Sequence, residues 1–275
     1  MKPQTILNKL ALLSSVPFVL ADTLNIVAHQ DDDLLFLSPD LIRDILSGQA
    51  VRTIFLTAGD AGNDDSYWQD RQFGSQAAYA RMAIASNKWK ETDAGIKGKD
   101  ISIYTLKDNA SISLIFMHLP DGNMDGTGFA GGNNDSLQKL WNGDIDHITT
   151  VDGSGTTYTR DELIDTITVL MDDFHPDELK TQDYVDSFGD GDHSDHYATA
   201  FFTTSALNKA NCHPNLTGYL GYTINNNPVN LDASDIEDKT NIFYEYASHD
   251  QGTCSTIAGC STRPEAGWLQ RQYTV

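Results

Sequence analysis

Two short stretches of the sequence concentrate the residue types that bind metals and move protons. The first is Ala28-His29-Gln30-Asp31-Asp32-Asp33, a histidine and three consecutive carboxylates at the end of an apolar run. Three like charges side by side disfavour full ionisation unless a cation or hydrogen-bond donors compensate, so a buried metal ion is a natural explanation. The second is Gly189-Asp190-Gly191-Asp192-His193-Ser194-Asp195-His196, where two histidines three residues apart fall on one helix face, or on a cap and first turn, and can aim at one point. Each stretch alone also reads as a solvated acidic turn or a polar helix start. Together they offer histidine and aspartate ligands without cysteine, which suits a catalytic zinc with three protein ligands and one position left for water. Zinc lowers the pKa of its water from about 15.7 to about 7 and polarises a carbonyl. Hydrolysis of an amide or ester is the expected chemistry, with a nearby carboxylate taking the proton.

The elements around these stretches predict a parallel sheet. Residues 24–28 and 51–56 are short apolar runs that read as strands, and Ser38-Pro39-Asp40 opens a helix to about Leu46 with Gly48 past its end. Strand, helix, strand is a βαβ unit, which puts functional residues on loops at the C-terminal ends of the strands. A long helix over about 67–86 follows, then strands over 101–106 and 111–117 and two glycine-rich loops, 121–132 and 143–155. Thr159 and Glu162 form a capping-box pattern for a helix running to about Phe174, and Pro176 ends it. Residues 178–182 read as a strand and 194–210 as a helix. The expected fold is α/β: a Rossmann-like, mainly parallel sheet flanked by helices in a single domain.

The chain has 275 residues, with 18 Lys and Arg against 39 Asp and Glu, a formal charge of -21. Such acidity repels phosphate backbones and anionic lipid head groups, so nucleic-acid binding and polybasic membrane docking are not expected. A hydrophobic content of 40% excludes wholesale disorder. Residues 1–21 read as a secretory signal peptide cleaved after Ala21, because Lys2 and Lys9 precede an apolar run well short of the ~20 residues that span a bilayer. An uncleaved signal anchor or residence in the endoplasmic reticulum lumen is the alternative. No later run is apolar for long enough to span a membrane, so the mature domain, 22–275, is expected outside the cell. Acceptor tripeptides for N-glycosylation start at Asn109, Asn134 and Asn215. Cys254 and Cys260 are spaced to close a small loop, leaving Cys212 unpaired, and the other two pairings remain open.

The arrangement resembles the PIG-L/LmbE-like de-N-acetylases, zinc enzymes that remove acetyl from N-acetylglucosaminyl groups. The resemblance extends over nearly the whole mature chain. It rests on the strand ending in Ala28-His29-Gln30-Asp31-Asp32-Asp33, on Leu56-Thr57-Ala58-Gly59-Asp60-Ala61-Gly62, and on Arg71 opening a helix. Leu119-Pro120-Asp121-Gly122, Pro176-Asp177, Thr181-Gln182-Asp183 and His193-Ser194-Asp195-His196 complete it. Gln30 stands where the family usually has Pro, and Asp33 where it has Glu; neither is an expected metal ligand. The resemblance implies that His29, Asp32 and His196 bind zinc and that Asp31 is the general base. It also implies that His193, as an imidazolium or a donor, stabilises the oxyanion, and that Arg71 and Asp121 contact the sugar. The implied substrate contains N-acetylglucosamine, either N-acetylglucosaminyl-phosphatidylinositol or a related glycan or glycoside.

Other motifs carry less. Asp121 to Asp125 begins like a calcium loop, but its twelfth position is Gly132 rather than a bidentate Glu. There is neither a G-x-S-x-G nucleophile elbow before a helix nor a glycine-rich dinucleotide fingerprint after the first strand. The rival readings are a secreted carbohydrate- or metal-binding protein on the same fold and a zinc amidase for another N-acyl substrate. These ligands also suit other divalent ions.

Overall fold

Leu24 and Ile26 point to one face of their strand, and Val27 to the other; all three are fully buried. The same alternation holds for Ile54 and Leu56 against Phe55, so these strands are covered on both sides and read as continuous apolar runs. The computed structural model describes residues 21–275, so the leader reading of residues 1–20 lies outside the described residues. In chain order the elements are β1 (Thr23–Val27), α1 (Asp40–Ser47), β2 (Val51–Thr57), α2 (Asp65–Met82), β3 (Trp89–Asp93), β4 (Ser102–Leu106) and β5 (Ile112–Leu119). Then come α3 (Leu137–Asn142), the short pair β6 (Ile148–Thr149) and β7 (Thr157–Tyr158), α4 (Arg160–Phe174), β8 (Glu178–Gln182), α5 (Ser194–Leu207) and β9 (Asn215–Tyr219). The chain finishes with α6 (Ala233–Ala247), α7 (Ile257–Cys260) and α8 (Glu265–Trp268).

The main sheet has seven strands in the order β3-β4-β5-β2-β1-β8-β9. The five from β5 to β9 run parallel, and β3 and β4 add an antiparallel edge. The fold is therefore a single α/β domain with a mostly parallel sheet. Helices α1, α2 and α6 contribute to the hydrophobic cluster on one face, and α3, α4 and α5 to the cluster on the other. The chain moves outward from β1 through β2 to β5, then returns to place β8 on the opposite side of β1. That reversal opens a crevice beyond the C-terminal ends of β1 and β8, the usual ligand position in such sheets.

Most expected elements form. The capping box at Thr159 and Glu162 is complete, and His175 ends α4 in a left-handed conformation. Gly48, also left-handed, ends α1. Helix α2 stops at Met82 rather than near residue 86, because Ile84 turns left-handed and the Ala85 N–H bonds back to the Ala80 carbonyl, a helix-ending pattern. Strands β3 and β9 and helix α6 have no counterpart in the sequence reading. Cys254 and Cys260 form a disulfide, and Cys212 is free. No helix among the described residues is long and apolar enough to cross a membrane.

Candidate metal centre and active site

Strand β1 ends at Val27, and the chain turns tightly so that the His29 N–H donates to Asp32 Oδ2 at 2.6 Å. A π-helical turn, Asp33–Leu37, follows directly, a local widening that often accompanies functional sites. Gln182, the last residue of β8, locks this turn to its neighbour strand. Its Oε1 accepts from the Ala28 N–H at 3.1 Å, and its Nε2 donates to Asp32 Oδ2 at 2.9 Å. Oδ2 of Asp32 thus accepts two hydrogen bonds and also lies 3.2 Å from His29 Nδ1.

Oδ1 lies 3.0 Å from His196 Nε2. Yet this buried Nε2 has no hydrogen-bond partner among the described residues. The two atoms approach closely without meeting hydrogen-bond geometry, an arrangement that suits two ligand atoms converging on a cation. His29 supplies the third member, and one ligand atom from each of His29, Asp32 and His196 lies within 4.8 Å of the others. The far nitrogens of both histidines are held by carboxylates: His196 Nδ1 is 2.9 Å from Asp192 Oδ1, and His29 Nε2 is 3.3 Å from Asp195 Oδ2. Metal-binding histidines typically carry such a partner, which fixes the tautomer and leaves the other nitrogen for the ion. The donor set, two imidazoles and one carboxylate oxygen with a buried unpartnered nitrogen, fits a divalent cation held by three protein ligands. A second grouping, His29 with Asp121, His193 and Asp195, is also close. It needs His29 Nε2, which is committed to Asp195, so it does not make an independent metal site.

The three consecutive carboxylates divide into three electrostatic states. Burial opposes ionisation of Asp32, but His196 and then His29 hold its carboxyl well below the usual range. Burial pushes Asp33 up to about 8, where it accepts from the Tyr79 hydroxyl on α2 and lies outside the ligand set. Burial also raises Asp31, to about 6, against the pull of the Arg71 guanidinium. Arg71 Nη2 donates to Asp31 Oδ1 at 2.7 Å. Asp31 is the most exposed of the three at 17% of its side-chain surface, so it alone presents a carboxylate to an incoming molecule.

His193 caps the N-terminus of α5, and its Nδ1 accepts from the Asp195 N–H at 3.2 Å. Its proton therefore resides on Nε2. Burial, assisted by His29, pushes this imidazole down to about 4, so at neutral pH it is an uncharged donor rather than an imidazolium. Nε2 lies 3.8 Å from Asp121 Oδ1. Asp121 follows β5 and is fixed by Asp60, whose Oδ1 accepts from the Asp121 N–H at 2.9 Å. Burial opposes the charge on Asp121, but the nearby His29 holds its carboxyl below the usual range. All seven residues singled out by sequence, His29, Asp31, Asp32, Arg71, Asp121, His193 and His196, thus meet in one crevice. Sequence reasoning gave no role to Gln182, Asp192, Asp195 or Asp60, which hold them, nor to Tyr246 and Asp250, whose hydroxyl and carboxylate lie 2.7 Å and 3.1 Å from Arg71 Nε.

Gly221 shows how tight the support is. A methyl group there would collide with the Asp192 carboxylate and come within 2.7 Å of His196 Nδ1. Gly221→Ala is expected to push Asp192 off His196 and weaken metal affinity about 10- to 100-fold, the usual consequence of losing such a partner. Chelator competition measures this, and an unchanged affinity would remove Asp192 from the metal centre.

No curated protein sequence matches the chain. Among solved structures it is similar to the conserved protein TT1542 from Thermus thermophilus, with 16% identity over 83% of this chain and 79% of that one and a TM-score of 0.48. It is also similar to the N,N'-diacetylchitobiose deacetylase from Pyrococcus horikoshii, with 14% identity, 88% and 73% coverage and a TM-score of 0.46. The zinc-inhibited form of teicoplanin deacetylase Orf2 gives 15% identity, 82% and 84% coverage and a TM-score of 0.48. The sequence profile described as PIG-L, GlcNAc-PI de-N-acetylase, matches residues 24–207, about two thirds of the chain and every one of the seven crevice residues, and the protein belongs to this family of metal-dependent de-N-acetylases.

Proposed function

We propose that the protein is a zinc-dependent hydrolase that removes acetyl from an N-acetylglucosaminyl group, releasing acetate and a free glucosamine amine. The observation that carries this reading is the close, unbonded approach of Asp32 Oδ1 and His196 Nε2 beside an Arg71-held Asp31 and an Nε2-protonated His193. His29, Asp32 and His196 hold the ion, which when bound polarises the acetamide carbonyl and acidifies water. Asp31 takes the proton of the water that attacks the carbonyl carbon. As the C–O bond forms, His193 Nε2–H donates to the developing oxyanion, a contribution of about 3–4 kcal/mol for one such donor. Asp31 then returns the proton to the amine nitrogen as the C–N bond breaks. Three guanidinium N–H groups of Arg71 serve Asp31, the Gly59 carbonyl and the Tyr246 hydroxyl, so two of its five remain for a sugar oxygen. Asp121 is a buried, ionised acceptor for a sugar hydroxyl.

The negative charge favours a soluble, neutral GlcNAc-containing glycan or glycoside over N-acetylglucosaminyl-phosphatidylinositol, whose phosphate and bilayer both repel an acidic surface. Residues 1–21 are a secretory leader and 22–275 the catalytic domain, which acts outside the cell.

The test is acetate release from N-acetylglucosamine, chito-oligosaccharides and N-acetylglucosaminyl-phosphatidylinositol, by zinc-loaded and chelator-stripped protein. Zinc-dependent release from the first two, in preference to the lipid, is the expected result. Preference for the lipid would overturn the substrate assignment. No release from any of them despite bound zinc would favour another acyl substrate or a binding protein on this fold.

A further inference from the structure

Arg71, which grips Asp31, is itself gripped from behind by residues outside the family-wide segment. Its Nε donates to the Tyr246 hydroxyl at 2.7 Å and stands 3.1 Å from Asp250 Oδ2. Tyr246 in turn donates to Asp250 Oδ2 at 2.5 Å, and Asp250 Oδ1 accepts from the Gly252 N–H at 2.7 Å. Nη1 donates to the Gly59 carbonyl at 2.5 Å. Tyr246, Asp250 and Arg71 are all buried. The family profile ends at residue 207, so this clamp belongs to the remainder of the chain.

The packing of α6 on α2 is arranged for this contact. Three residues after Arg71, α2 carries Gly74, where a methyl group would stand 2.8 Å from the Tyr246 carbonyl oxygen and 2.9 Å from its ring. Only a residue without a side chain lets α6 approach so closely. Two turns earlier in α6, the fully buried Lys239 donates to the carbonyls of Trp268 and Arg271, fastening the helix to the C-terminal segment. A guanidinium fixed at Nε and Nη1 has no freedom left in its plane, so Nη2 meets Asp31 at one position and angle.

On the reading of Asp31 as general base, we infer that Asp250 and Tyr246 are positioning residues for catalysis: they fix Arg71 so that it orients the Asp31 carboxylate. A purely structural alternative exists, in which Asp250 only neutralises a buried arginine. The two differ in what they move. A positioning pair alters turnover in folded, metal-loaded protein, because small misplacements of a reacting group cost up to about 10²-fold; a structural pair alters only the amount of folded protein.

The experiment compares Asp250→Asn, which keeps the acceptor for Gly252, and Tyr246→Phe, which keeps the ring. Melting temperature, bound zinc, and kcat and KM for acetate release from N,N'-diacetylchitobiose are read for each. The expected result is a fall in kcat of about 10- to 100-fold per zinc-loaded site, with KM and bound zinc nearly unchanged. Asp31→Asn/Asp250→Asn should be no slower than Asp31→Asn alone, since residues acting through one group are not additive. A kcat that falls only with the folded fraction, or a double variant slower than the single one, overturns the inference. If Asp31→Asn alone keeps the wild-type rate, the base assignment has failed instead. A readout independent of substrate is the ¹⁵N NMR of the arginine side chains, with Arg71 assigned by its loss in Arg71→Lys. Its Nη2–H signal facing Asp31 should be protected in the wild type and exchange-broadened in Tyr246→Phe and Asp250→Asn. Persistence of that signal in both variants would also overturn the inference.

Discussion

Asp31→Asn should bind one zinc ion per chain with wild-type affinity and release acetate about 10²- to 10⁴-fold more slowly, the range that a positioned general base contributes. The substitution is nearly isosteric, and the amide oxygen can still accept from Arg71 Nη2, which lies 2.7 Å from Asp31 Oδ1. What disappears is the ability to take a proton from water and return it to the amine. Nothing in the metal-holding geometry depends on Asp31. Oδ2 of Asp32 is engaged by the His29 N–H and by Gln182, and Oδ1 faces His196, all without the neighbouring carboxylate. Zinc content by mass spectrometry and acetate release under saturating substrate, measured on the same sample, check both halves of the expectation. Loss of zinc from the variant would contradict the division of roles between the adjacent aspartates.

The candidate site was legible in the sequence because its proposed ligands come in two local runs. A turn at the end of β1 supplies His29, Asp31 and Asp32, and the cap and first turn of α5 supply His193 and His196. What holds them was less legible. Asp192 lies four residues before His196 and inside the same run, so the need of a metal-binding imidazole for a carboxylate on its other nitrogen was a usable signal. Asp195 also lies in that run, but its partner His29 is 166 residues away, and no local pattern announces the pair. The state of His193 was equally hidden. Its neutrality follows from burial and from a hydrogen bond to its own helix N-terminus, which only the folded packing provides.

The βαβ core was readable from β-branched apolar runs and caps. The outer elements were not, for separate physical reasons. Strand β3 is almost wholly exposed, so it has no alternation to detect. Strand β9 contains Asn215 and Gly218, both weak strand formers. Helix α6 does carry helical spacing, at residues 239, 242, 243, 246 and 247, with Asp232 as its cap. Its first core position, however, is Lys239, whose buried ammonium reads as a surface residue until its carbonyl partners are seen. Overlooking α6 is what concealed Tyr246, near its end, and Asp250, three residues beyond it.

His196→Ala and Asp32→Ala should fail to retain zinc on dialysis, and their acetate release should fall to that of chelator-stripped wild type. Each removes one of the three proposed ligands, and the remaining pair, His29 with either partner, cannot enclose the ion. The variants also leave buried charge behind. Without His196, the carboxylates of Asp192 and Asp32 lose the group that lies 2.9 Å from one and 3.0 Å from the other, and breaking such a buried pair typically costs about 3–5 kcal/mol. A fall in melting temperature is therefore expected whatever the metal does, and zinc loss must be separated from unfolding. His196→Gln serves this purpose, since its side-chain amide can still donate to Asp192 while offering a poor metal ligand. The discriminating quantity is the response to added zinc. Wild type should gain about 2.7 kcal/mol of stability when free zinc is 100 times the dissociation constant, and His196→Gln should gain almost none at the same concentration. Equal stabilisation of both proteins would mean that zinc is held elsewhere and that the convergence of Asp32 and His196 serves only packing.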